Sequence, residues 1–589
     1  MPEEMHAEEV LGKAYDARLM RRLLGYLKPY RSTVVWAVVC LLIGSAMSVV
    51  QPYLIGYAID RYIQNDNLAG LNRIAALYIL TLILVLVFEF LQTWLINVMG
   101  QKIMYDLRMQ IVRHLQRMDT AFFDKNPVGR LMTRVTSDVD ALNELFTSGV
   151  ISVFEDICIL SGIMIILFAM NYKLALLVFS ILPLLVLATL LFKIKVRNSF
   201  RKVRTAIARI NAFLQENITG ISIVQIFGQE KKQYVRFTRI NQDHLDANLQ
   251  SVFYHALFLP LLQFISAMAI ALIVWYGGHQ VLSSVLTIGT LVAFIQYSER
   301  FFRPISDLSE KYTILQSAMA ASERIFNLLD THPTITSPET PAGGAVTEGG
   351  IEFRNVHFSY KPTEPVLQDI SFKVAPGETI AIVGSTGAGK STIISLLSRF
   401  YDIQRGEILV DGINVSDYDL HELRRSIAVV LQDVFLFSGS VAKNIHLENK
   451  QITEDMIRDA AVTVHASHFI EKLDRHYATE IGERGSSLSV GQKQLLAFAR
   501  ALAYNPKILV LDEATSSIDT ETELLIRDAL KKLLKDRTSI IIAHRLSTIQ
   551  NADRIIVLHR GRIRETGTHQ ELLHQKGIYW KLYQLQYQE

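Results

Sequence analysis

The chain has almost no cysteine. Its 589 residues include only two, Cys40 and Cys158, and both stand inside long apolar runs. Two thiols in such surroundings cannot build the disulfide framework of a small secreted domain, so that class of protein is excluded.

The sequence also lacks a large excess of charge of either sign. Charged residues make up 20% of the chain, and the net charge at pH 7 is only +3. A nucleic-acid-binding protein needs a concentrated basic surface, so we expect no nucleic acid among its partners. The first ten residues, MPEEMHAEEV, lack the basic start and short apolar core of a signal peptide, and we expect none.

Long apolar runs, by contrast, are abundant in the first half of the chain. Half of all residues are hydrophobic, and the mean hydropathy of +0.23 is high for a soluble protein. A bilayer core about 30 Å thick needs roughly 20 apolar residues in a helix. Apolar stretches close to or longer than this predict six membrane spans, at residues 32–59, 74–99, 150–170, 174–192, 257–276 and 281–297.

The polar connections at 100–149 and 193–253 keep helical periodicity and are rich in arginine and lysine. They predict helices that continue well beyond the membrane on one side. Because basic residues accumulate on the cytoplasmic side of membrane proteins, we expect these extensions to lie in the cytoplasm. The predicted location is the cytoplasmic (inner) membrane, with several spans and with the N-terminus and the second half of the chain in the cytoplasm. Residues 1–31 are predicted to be a cytosolic N-terminus that ends in a basic amphipathic elbow helix lying along the interface.

The second half of the chain has the composition of a soluble protein. Residues 326–350 are rich in Pro, Gly and Thr and are predicted to form a linker. From Ile351 onward, β-rich apolar runs alternate with helical patterns, which is typical of an α/β domain. The predicted fold is therefore multidomain, with an all-α six-helix transmembrane domain at 32–325 followed by an α/β domain at 351–589.

The segment IAIVGSTGAGKST has the sequence of a P-loop in its required context, with an apolar strand before it and a helical run after it. Its glycines let backbone N–H groups surround phosphates at a helix N-terminus. Lys390 can reach the β- and γ-phosphates, and the Ser391 hydroxyl can ligate Mg²⁺. The predicted ATP-binding residues of this loop are Gly384, Ser385, Thr386, Gly387, Ala388, Gly389, Lys390, Ser391 and Thr392.

The segment KILVLDEAT predicts a strand that ends in two acids. Asp512, at the end of a strand beside a P-loop, can hold Mg²⁺ directly or through water. Glu513 can orient or deprotonate the water that attacks the γ-phosphate. Two adjacent acids usually form only a solvated turn, and it is the P-loop upstream that favours this interpretation. ATP and Mg²⁺ are the cofactors it implies.

From Ile351 onward the motifs resemble, in family order, those of an ATP-binding cassette (ABC) nucleotide-binding domain. SSLSVGQKQLLAFARAL is similar to the family signature, LQDVFLF to the Q-loop, SSID to the D-loop, and IIIAHRLS to the switch-histidine segment. The resemblance implies that Tyr360 stacks on adenine, that Gln432 contacts ATP and the metal, that Ser517 and Asp519 belong to the D-loop, and that His544 acts with Glu513 in catalysis.

The first half resembles the membrane domain of ABC exporters. FFDKNPVGRLMTRVTSDVD and ENITGISIVQIFGQE are similar to the regions around two coupling helices. The resemblance implies a half-transporter that pairs with a second subunit and exports hydrophobic or amphipathic compounds by alternating access, as multidrug exporters do. A lipid or glycolipid flippase of the same architecture stays open, and a non-transporting ABC ATPase is a remote alternative.

The signature residues Ser489, Val490, Gly491 and Gln492 are implied to act on the ATP site of the partner subunit. The family usually has glycine where this chain has Val490. A β-branched residue does not readily adopt a positive φ and adds bulk near the phosphate. This favours a heterodimer, in which the partner has its own intact signature, over a homodimer that tolerates the valine.

Three acids, Glu89, Glu155 and Asp156, interrupt the apolar spans. A charge inside a membrane is costly, so such residues usually face a cavity or a partner. They are candidates for an acidic lining of a substrate cavity that favours cationic amphipaths. The alternative is that each pairs with a nearby Arg or Lys for structural reasons. Glu155 and Asp156 are adjacent and point about 100° apart on a helix, so they cannot share one narrow face.

Overall fold

The structure, a computed structural model, describes residues 16–342, 344–512, 520–542 and 549–587. It divides into two compact units. The first comprises the described residues up to Gln116 together with Val128–Thr331, and the second comprises Arg117–Pro127 together with the described residues from His332 onward. The short segment 117–127, which lies within the predicted membrane domain at 32–325, groups with the second unit.

Helices dominate the chain up to residue 331, joined by short turns and by π-helical stretches at Ile59–Ile63, Leu145–Gly149 and Ile273–Gly277. The α-helices are α1 (Ala17–Gly25), α2 (Arg31–Ala58), α3 (Leu68–Leu115), α4 (Thr120–Lys125), α5 (Val128–Val135), α6 (Ser137–Glu144), α7 (Val150–Met170), α8 (Tyr172–Phe179), α9 (Leu182–Thr219), α10 (Ile221–Ile226), α11 (Glu230–Leu272), α12 (Gly278–Leu282) and α13 (Ile288–Asp330).

Several of these helices are much longer than a membrane is thick. Helix α3 has 48 residues, and α11 and α13 have 43 each. At 1.5 Å per residue, 48 residues extend about 72 Å, more than twice the thickness of the hydrocarbon core. The predicted continuation of the helices beyond the apolar segments is therefore confirmed.

Five helical stretches of the described residues are long and apolar enough to cross a membrane: Lys28–Ile63, Leu68–Leu115, Val128–Met170, Tyr172–Thr189 and Glu230–Leu282. They overlap the first five predicted spans. The bounds predicted for the sixth, 281–297, are wrong, because the chain turns after Leu282 and α13 begins only at Ile288. Glu299, Arg300 and Arg303 follow early in α13, and three charged residues within one membrane-length window exclude this helix from the five.

The predicted linker also begins too early. Helix α13 continues to Asp330, so the linker starts at Thr331 rather than at residue 326. The segment FNLLD keeps the helical pattern, and the helix ends before His332 and Pro333, where the residue preceding proline is disfavoured in a helix.

A proline inside α2 is matched by an arginine on α13. Pro52 has no N–H, so the carbonyl of Ser48, one turn earlier, lacks its donor within the helix. Arg300 supplies a donor instead, because its Nη1 lies 2.6 Å from the Ser48 carbonyl oxygen and its Nη2 lies 3.0 Å from Gln51 Oε1. The Tyr297 hydroxyl donates to the next carbonyl, that of Val49, at 2.6 Å. Helix α13 thus provides the donor that Pro52 cannot supply.

The second unit combines strands with short helices. Its strands are β1 (Ile351–Phe358), β2 (Leu367–Val374), β3 (Thr379–Val383), β4 (Arg405–Val410), β5 (Ile413–Asn414), β6 (Ile427–Val430), β7 (Gly439–Ser440), β8 (Glu480–Ile481), β9 (Ile508–Asp512), β10 (Thr538–Ile542), β11 (Arg554–His559) and β12 (Arg562–Gly567). Its helices after α4 are α14 (Lys390–Leu397), α15 (Leu420–Ser426), α16 (Val441–His446), α17 (Glu454–Thr463), α18 (Ser467–Ile470), α19 (Val490–Ala503), α20 (Thr520–Leu534), α21 (His569–Gln575) and α22 (Ile578–Tyr587).

The central sheet has the order β12-β11-β3-β10-β9-β6 and is parallel except for β12. A second, antiparallel sheet has the order β2-β1-β4-β5. Along β3, Ile380 and Ile382 pack in one hydrophobic core while Ala381 and Val383 pack in another. This alternation shows that the strand is covered on both faces, as in other parallel sheets.

Candidate nucleotide-binding site

The loop between β3 and α14 needs glycine at two positions. Gly389, which precedes α14, has φ of 102°, and a Cβ placed there would lie 2.5 Å from Leu367 Cδ2. A Cβ on Gly384 would lie 2.2 Å from the carbonyl oxygen of Leu558. A side chain would strain the backbone and meet Leu367 at position 389, and it would collide with the backbone of Leu558 at position 384. The glycines therefore permit a tight loop whose N–H groups lie at the start of α14.

Lys390 is folded back onto this loop. Its side chain is buried, and Nζ donates to the carbonyl oxygens of Gly384 at 2.7 Å and Ser385 at 3.1 Å. Burial lowers the pKa of Lys390, and the nearby Asp512 carboxylate acts in the opposite direction. A cation held by two neutral carbonyls in a buried loop is well placed to bind phosphate, because bonds between ionised groups are stronger than those to neutral acceptors.

The predicted metal ligands meet at one edge of the central sheet. The P-loop follows β3 and Asp512 ends β9, so both lie at the same edge of the parallel sheet, one on each side of β10. Ser391 Oγ lies 3.2 Å from Asp512 Oδ2. Gln432 follows β6, whose Val430 pairs with Leu511 of β9, and therefore lies at the same edge. A hydroxyl, a carboxylate and an amide oxygen are the hard ligands that Mg²⁺ prefers.

The described residues contain no cluster of three or more His, Cys, Asp or Glu side chains suited to a metal. Mg²⁺ is usually held by one or two carboxylates together with substrate phosphates and water, and the Asp512 carboxylate beside the Ser391 hydroxyl can be part of such a set. The residues present thus suit Mg²⁺ bound together with a nucleotide.

Tyr360, predicted to stack on adenine, is half exposed and belongs to an aromatic cluster. Its ring packs edge-to-face on Phe358 and on Tyr401, with centroids 4.9 Å and 5.0 Å away, and its hydroxyl donates to Thr392 Oγ1 at 3.2 Å. The cluster orients the ring beside the P-loop helix. The sequence analysis did not identify Tyr401, although its place directly after the P-loop helix and before DIQRGE is a usable signal.

Tyr401 also contacts the segment Arg117–Pro127. Its hydroxyl donates to the carboxylate of Asp124 on α4, and burial together with that carboxylate raises the pKa of Tyr401, so the phenol stays protonated. Asp119 fixes the start of the segment by accepting hydrogen bonds from Thr334 N at 2.8 Å and Thr334 Oγ1 at 2.6 Å. The segment that joins α3 to α5 is thus bonded to the cluster that holds Tyr360.

Comparison with known families agrees with this geometry. Residues 34–305 match the ABC transporter transmembrane region, and residues 367–516 match the ABC transporter family. The chain belongs to the ABC transporter family. The two matches together cover more than half of the chain and join a helical transmembrane domain to a nucleotide-binding domain.

Relatives of this ABC transporter cover most of its length. It is 37% identical over 88% of its length to a Bacillus subtilis protein named "Probable multidrug resistance ABC transporter ATP-binding/permease protein YheH", covering 77% of that protein. It is 36% identical over 97% of its length to the ATP-dependent lipid A-core flippase of Syntrophus aciditrophicus, covering 95% of that protein. It also resembles the structure of a bacterial Atm1-family ABC exporter with ATP bound, with a TM-score of 0.77, 28% identity, and coverage of 94% and 98% of the two chains. These likenesses show an ABC exporter whose ATP hydrolysis is coupled to transport.

The ABC signature forms the start of α19. Ser489 caps this helix, since its Oγ accepts from Gln492 N at 3.3 Å and its own N–H donates to Gln492 Oε1 at 3.0 Å. Val490 is the first residue of the helix, is 55% exposed, and is not among the residues with positive φ. The expectation that valine strains the backbone here is therefore wrong, because the position is right-handed helical. The exposed isopropyl group is the remaining difference from glycine.

Four predicted site residues of the ABC transporter lie outside the described residues: Glu513, Ser517, Asp519 and His544. Their roles rest on the motifs and stay predictions. The last described residues before these two segments, Asp512 at the end of β9 and Ile542 at the end of β10, are paired in the parallel sheet.

The membrane acids have different surroundings. Asp156 forms an ion pair with Lys311 of α13, whereas Glu155 accepts a hydrogen bond from Gln92 of α3 at 3.3 Å. The two adjacent acids thus face different helices, as the 100° rotation requires. Glu89 is exposed on α3. The pairing alternative therefore applies to Asp156, and the sequence analysis missed its partner Lys311.

Proposed function

We propose that this ABC exporter moves hydrophobic or amphipathic compounds across the cytoplasmic membrane by alternating access. The observation that carries the proposal is the chain of contacts from Tyr360 through Tyr401 to Asp124. It bonds the predicted adenine site to the segment that joins two membrane-domain helices. Binding or hydrolysis of the nucleotide can thereby shift the equilibrium between two arrangements of the transmembrane helices.

Within that function, Glu155 supports cationic amphipaths as the substrate class. It is a partly buried carboxylate in an apolar helix, and its hydrogen-bond partner is a neutral amide. A carboxylate that forms no ion pair with any residue described by the structure can compensate a bound cation. The Bacillus subtilis relative, named for multidrug resistance, agrees with this class, whereas the relative named as a flippase supports lipid as the second candidate.

Glu155→Gln tests the substrate class, because it removes the charge and keeps the shape. We expect the affinity for a cationic amphipath to fall about tenfold and that for a neutral one to change less than about twofold. The measurement is ATP-dependent uptake of both compounds into inside-out vesicles. Glu144→Gln, at an exposed glutamate of α6, removes the same charge as a control.

Equal losses for the two compounds would contradict the role of Glu155 in selecting cations. ATP-dependent movement of a labelled lipid, with no uptake of either amphipath, would favour the flippase. Asp156→Asn is unsuitable for this test, because it leaves Lys311 unpaired and acts on folding.

We further propose catalytic roles for the residues at the edge of the sheet. Ser391 and Asp512 would hold Mg²⁺ with the help of Gln432, and Lys390 would bind the terminal phosphates. Mg²⁺, when bound, neutralises charge on the β- and γ-phosphates. Glu513 would orient the attacking water, with His544 beside it.

We propose that the chain acts with a second half-transporter subunit. A heterodimer is supported by Val490, whose exposed side chain adds bulk where the signature meets the partner's nucleotide. A homodimer is the second candidate, supported by the right-handed helical backbone at Val490, which needs no glycine.

The rate of ATP hydrolysis by the isolated chain distinguishes a heterodimer from a homodimer. In a heterodimer, ATPase activity should rise by about tenfold or more when the partner is added. Val490→Gly should then change the activity of the pair little, because this signature faces the partner's weaker site. In a homodimer, Val490→Gly should change turnover of the chain alone severalfold. Val490→Ala removes the bulk without the flexibility of glycine and is the control. Full transport by the chain alone would exclude the heterodimer.

A further inference from the structure

A cavity of about 200 Å³ opens among α1, α2, α3 and α7 in the first unit. All ten residues that line it are apolar. Val34, Ala37, Val38 and Leu41 lie on α2 and Met99 lies on α3, while the others belong to α1, the turn after it, the π-helical stretch 145–149 and α7. Because its side chains offer no hydrogen bond, the cavity suits a hydrocarbon chain rather than a polar ligand.

The cavity lies at the depth of the acyl chains of one leaflet. The stretch Lys28–Ile63 is long and apolar enough to span a membrane, and the cavity follows it from Val34 to Leu41. That distance is about 10 Å along the helix axis, and one leaflet supplies about 15 Å of the hydrocarbon core. Trp36, which is 62% exposed, marks the membrane–water interface, where tryptophan is enriched. The cavity therefore begins near the edge of the hydrocarbon core.

Two basic residues lie just outside the cavity. Arg31 precedes Val34 by three residues and Lys102 follows Met99 by three, so each neighbours a lining residue on its own helix. Helices α2 and α3 are consecutive spans that run in opposite directions, so both cations lie at the same end of the cavity. Three residues rise about 4.5 Å, close to the roughly 5–7 Å by which headgroups extend beyond the hydrocarbon core.

The acids of this region leave the two cations without a partner. Both cations are exposed, and neither forms an ion pair with any residue that the structure describes. Asp106 accepts a hydrogen bond from the Tyr30 hydroxyl at 2.7 Å and lies about 6 Å beyond Lys102 along α3. Glu144 stands two residues before Phe146, a lining residue, so its side chain points to roughly the opposite side of the helix.

We propose that this cavity holds an acyl chain of an anionic phospholipid whose phosphate binds Arg31 and Lys102. Basic pockets between transmembrane helices bind acidic headgroups through such charges. The chain gains little free energy by leaving the bilayer for the cavity, because both surroundings are apolar. The charges therefore supply most of the affinity, and the cavity gives the chain the space that lets the phosphate approach both cations. The lipid comes from the leaflet at the N-terminal end of α2, and its binding needs no nucleotide.

A pair of charge variants tests the phosphate contacts. Basic residues at the end of a span attract anionic lipid even without a defined site. Arg31→Gln/Lys102→Gln is therefore compared with Arg61→Gln/Arg73→Gln, which removes the same charge from exposed positions near the opposite ends of α2 and α3. The probe is phosphatidylglycerol, titrated into the purified full chain in nanodiscs of phosphatidylcholine with the same acyl chains. Bound lipids are counted by native mass spectrometry without ATP.

We expect phosphatidylglycerol to bind about 25-fold more weakly to the Arg31/Lys102 variant, since each basic residue near an anionic headgroup contributes about fivefold. The control should change less than about twofold. Equal losses in variant and control, or equal binding of phosphatidylcholine and phosphatidylglycerol to the unaltered protein, would overturn the proposal. Displacement by soluble glycerol phosphate would overturn the assignment to a lipid.

A second pair of variants tests the cavity itself. Val38→Phe fills it, whereas Val35→Phe adds the same bulk at an exposed position of α2 that does not line it. We expect Val38→Phe to weaken binding about fivefold, because a displaced chain keeps the phosphate from at least one cation, and Val35→Phe to change it less than about twofold. Unchanged binding in Val38→Phe would overturn the role of the cavity.

Photolabelling serves if the phenylalanine variant does not fold. Phosphatidylglycerol with a diazirine on its acyl chain should label peptides of α2 and α3 around Val38 and Met99 in the unaltered protein. Labels confined to other helices would contradict the proposal.

Discussion

Replacement of Glu513 by glutamine is expected to lower ATP turnover by about 10²- to 10⁴-fold, the usual contribution of a general base. The change removes the carboxylate that would orient and deprotonate the attacking water. It leaves the phosphate-binding loop and the Ser391–Asp512 pair untouched. ATP affinity should therefore change less than about twofold, and transport should stop with ATP bound.

The test compares steady-state phosphate release with equilibrium binding of ATP for the same preparation. Glu521→Gln is the matched control, since Glu521 is an exposed glutamate in the first turn of α20. It should hydrolyse ATP at the rate of the unaltered protein. Turnover within about threefold of that rate in the Glu513 variant would remove this residue from the catalytic role.

Lys390→Ala is expected to act on binding as well as on turnover. The ammonium group is buried and bonded to the carbonyls of Gly384 and Ser385, so its loss removes both the phosphate contact and a brace of the loop. Hydrogen bonds to charged groups contribute about 1.5–3 kcal/mol, so nucleotide affinity should fall roughly 10- to 100-fold.

Calorimetric titration of ATP into the Lys390 variant measures this loss. Lys472→Ala, at an exposed lysine of the same unit, provides the comparison. Because a weakened loop could also unfold locally, the melting temperature of the second unit is followed in parallel. Unchanged affinity with reduced turnover would mean that Lys390 contributes only in the transition state.

Much of the fold could be predicted because helices and strands follow local periodicity. The apolar runs of α2, α7 and β3 are each visible in consecutive residues of the sequence. The sixth span was misplaced because VLSSVLTIGT stays apolar through a turn, so nothing in its composition marks the break after Leu282. Ser284, at φ of 59°, adopts a left-handed conformation that is uncommon for serine and that hydropathy does not reveal.

The candidate site was predictable to the same extent. A P-loop is built from neighbouring residues, so the sequence predicts a loop between a strand and a helix, and the structure has β3 before this loop and α14 after it. The pairs Tyr401–Asp124 and Lys311–Asp156 join residues far apart in the chain, and no local pattern connects them. Val490 is helical because Ser489 caps the helix that begins there. The sequence analysis compared position 490 with the glycine of the family motif and did not consider this cap.

Pro52 leaves the Ser48 carbonyl of α2 without a donor from its own helix, and Arg300 of α13 supplies that hydrogen bond. The stability of α2 at Pro52 therefore depends on a side chain of α13. Pro52 and Arg300 are therefore a single energetic unit. With an alanine at position 52, the helix would satisfy its own carbonyl and the arginine would be left with Gln51. With the arginine removed, the proline would leave a carbonyl unmatched in apolar surroundings. Substitutions at these two positions are thus non-additive, and the residue tolerated at one depends on which residue occupies the other.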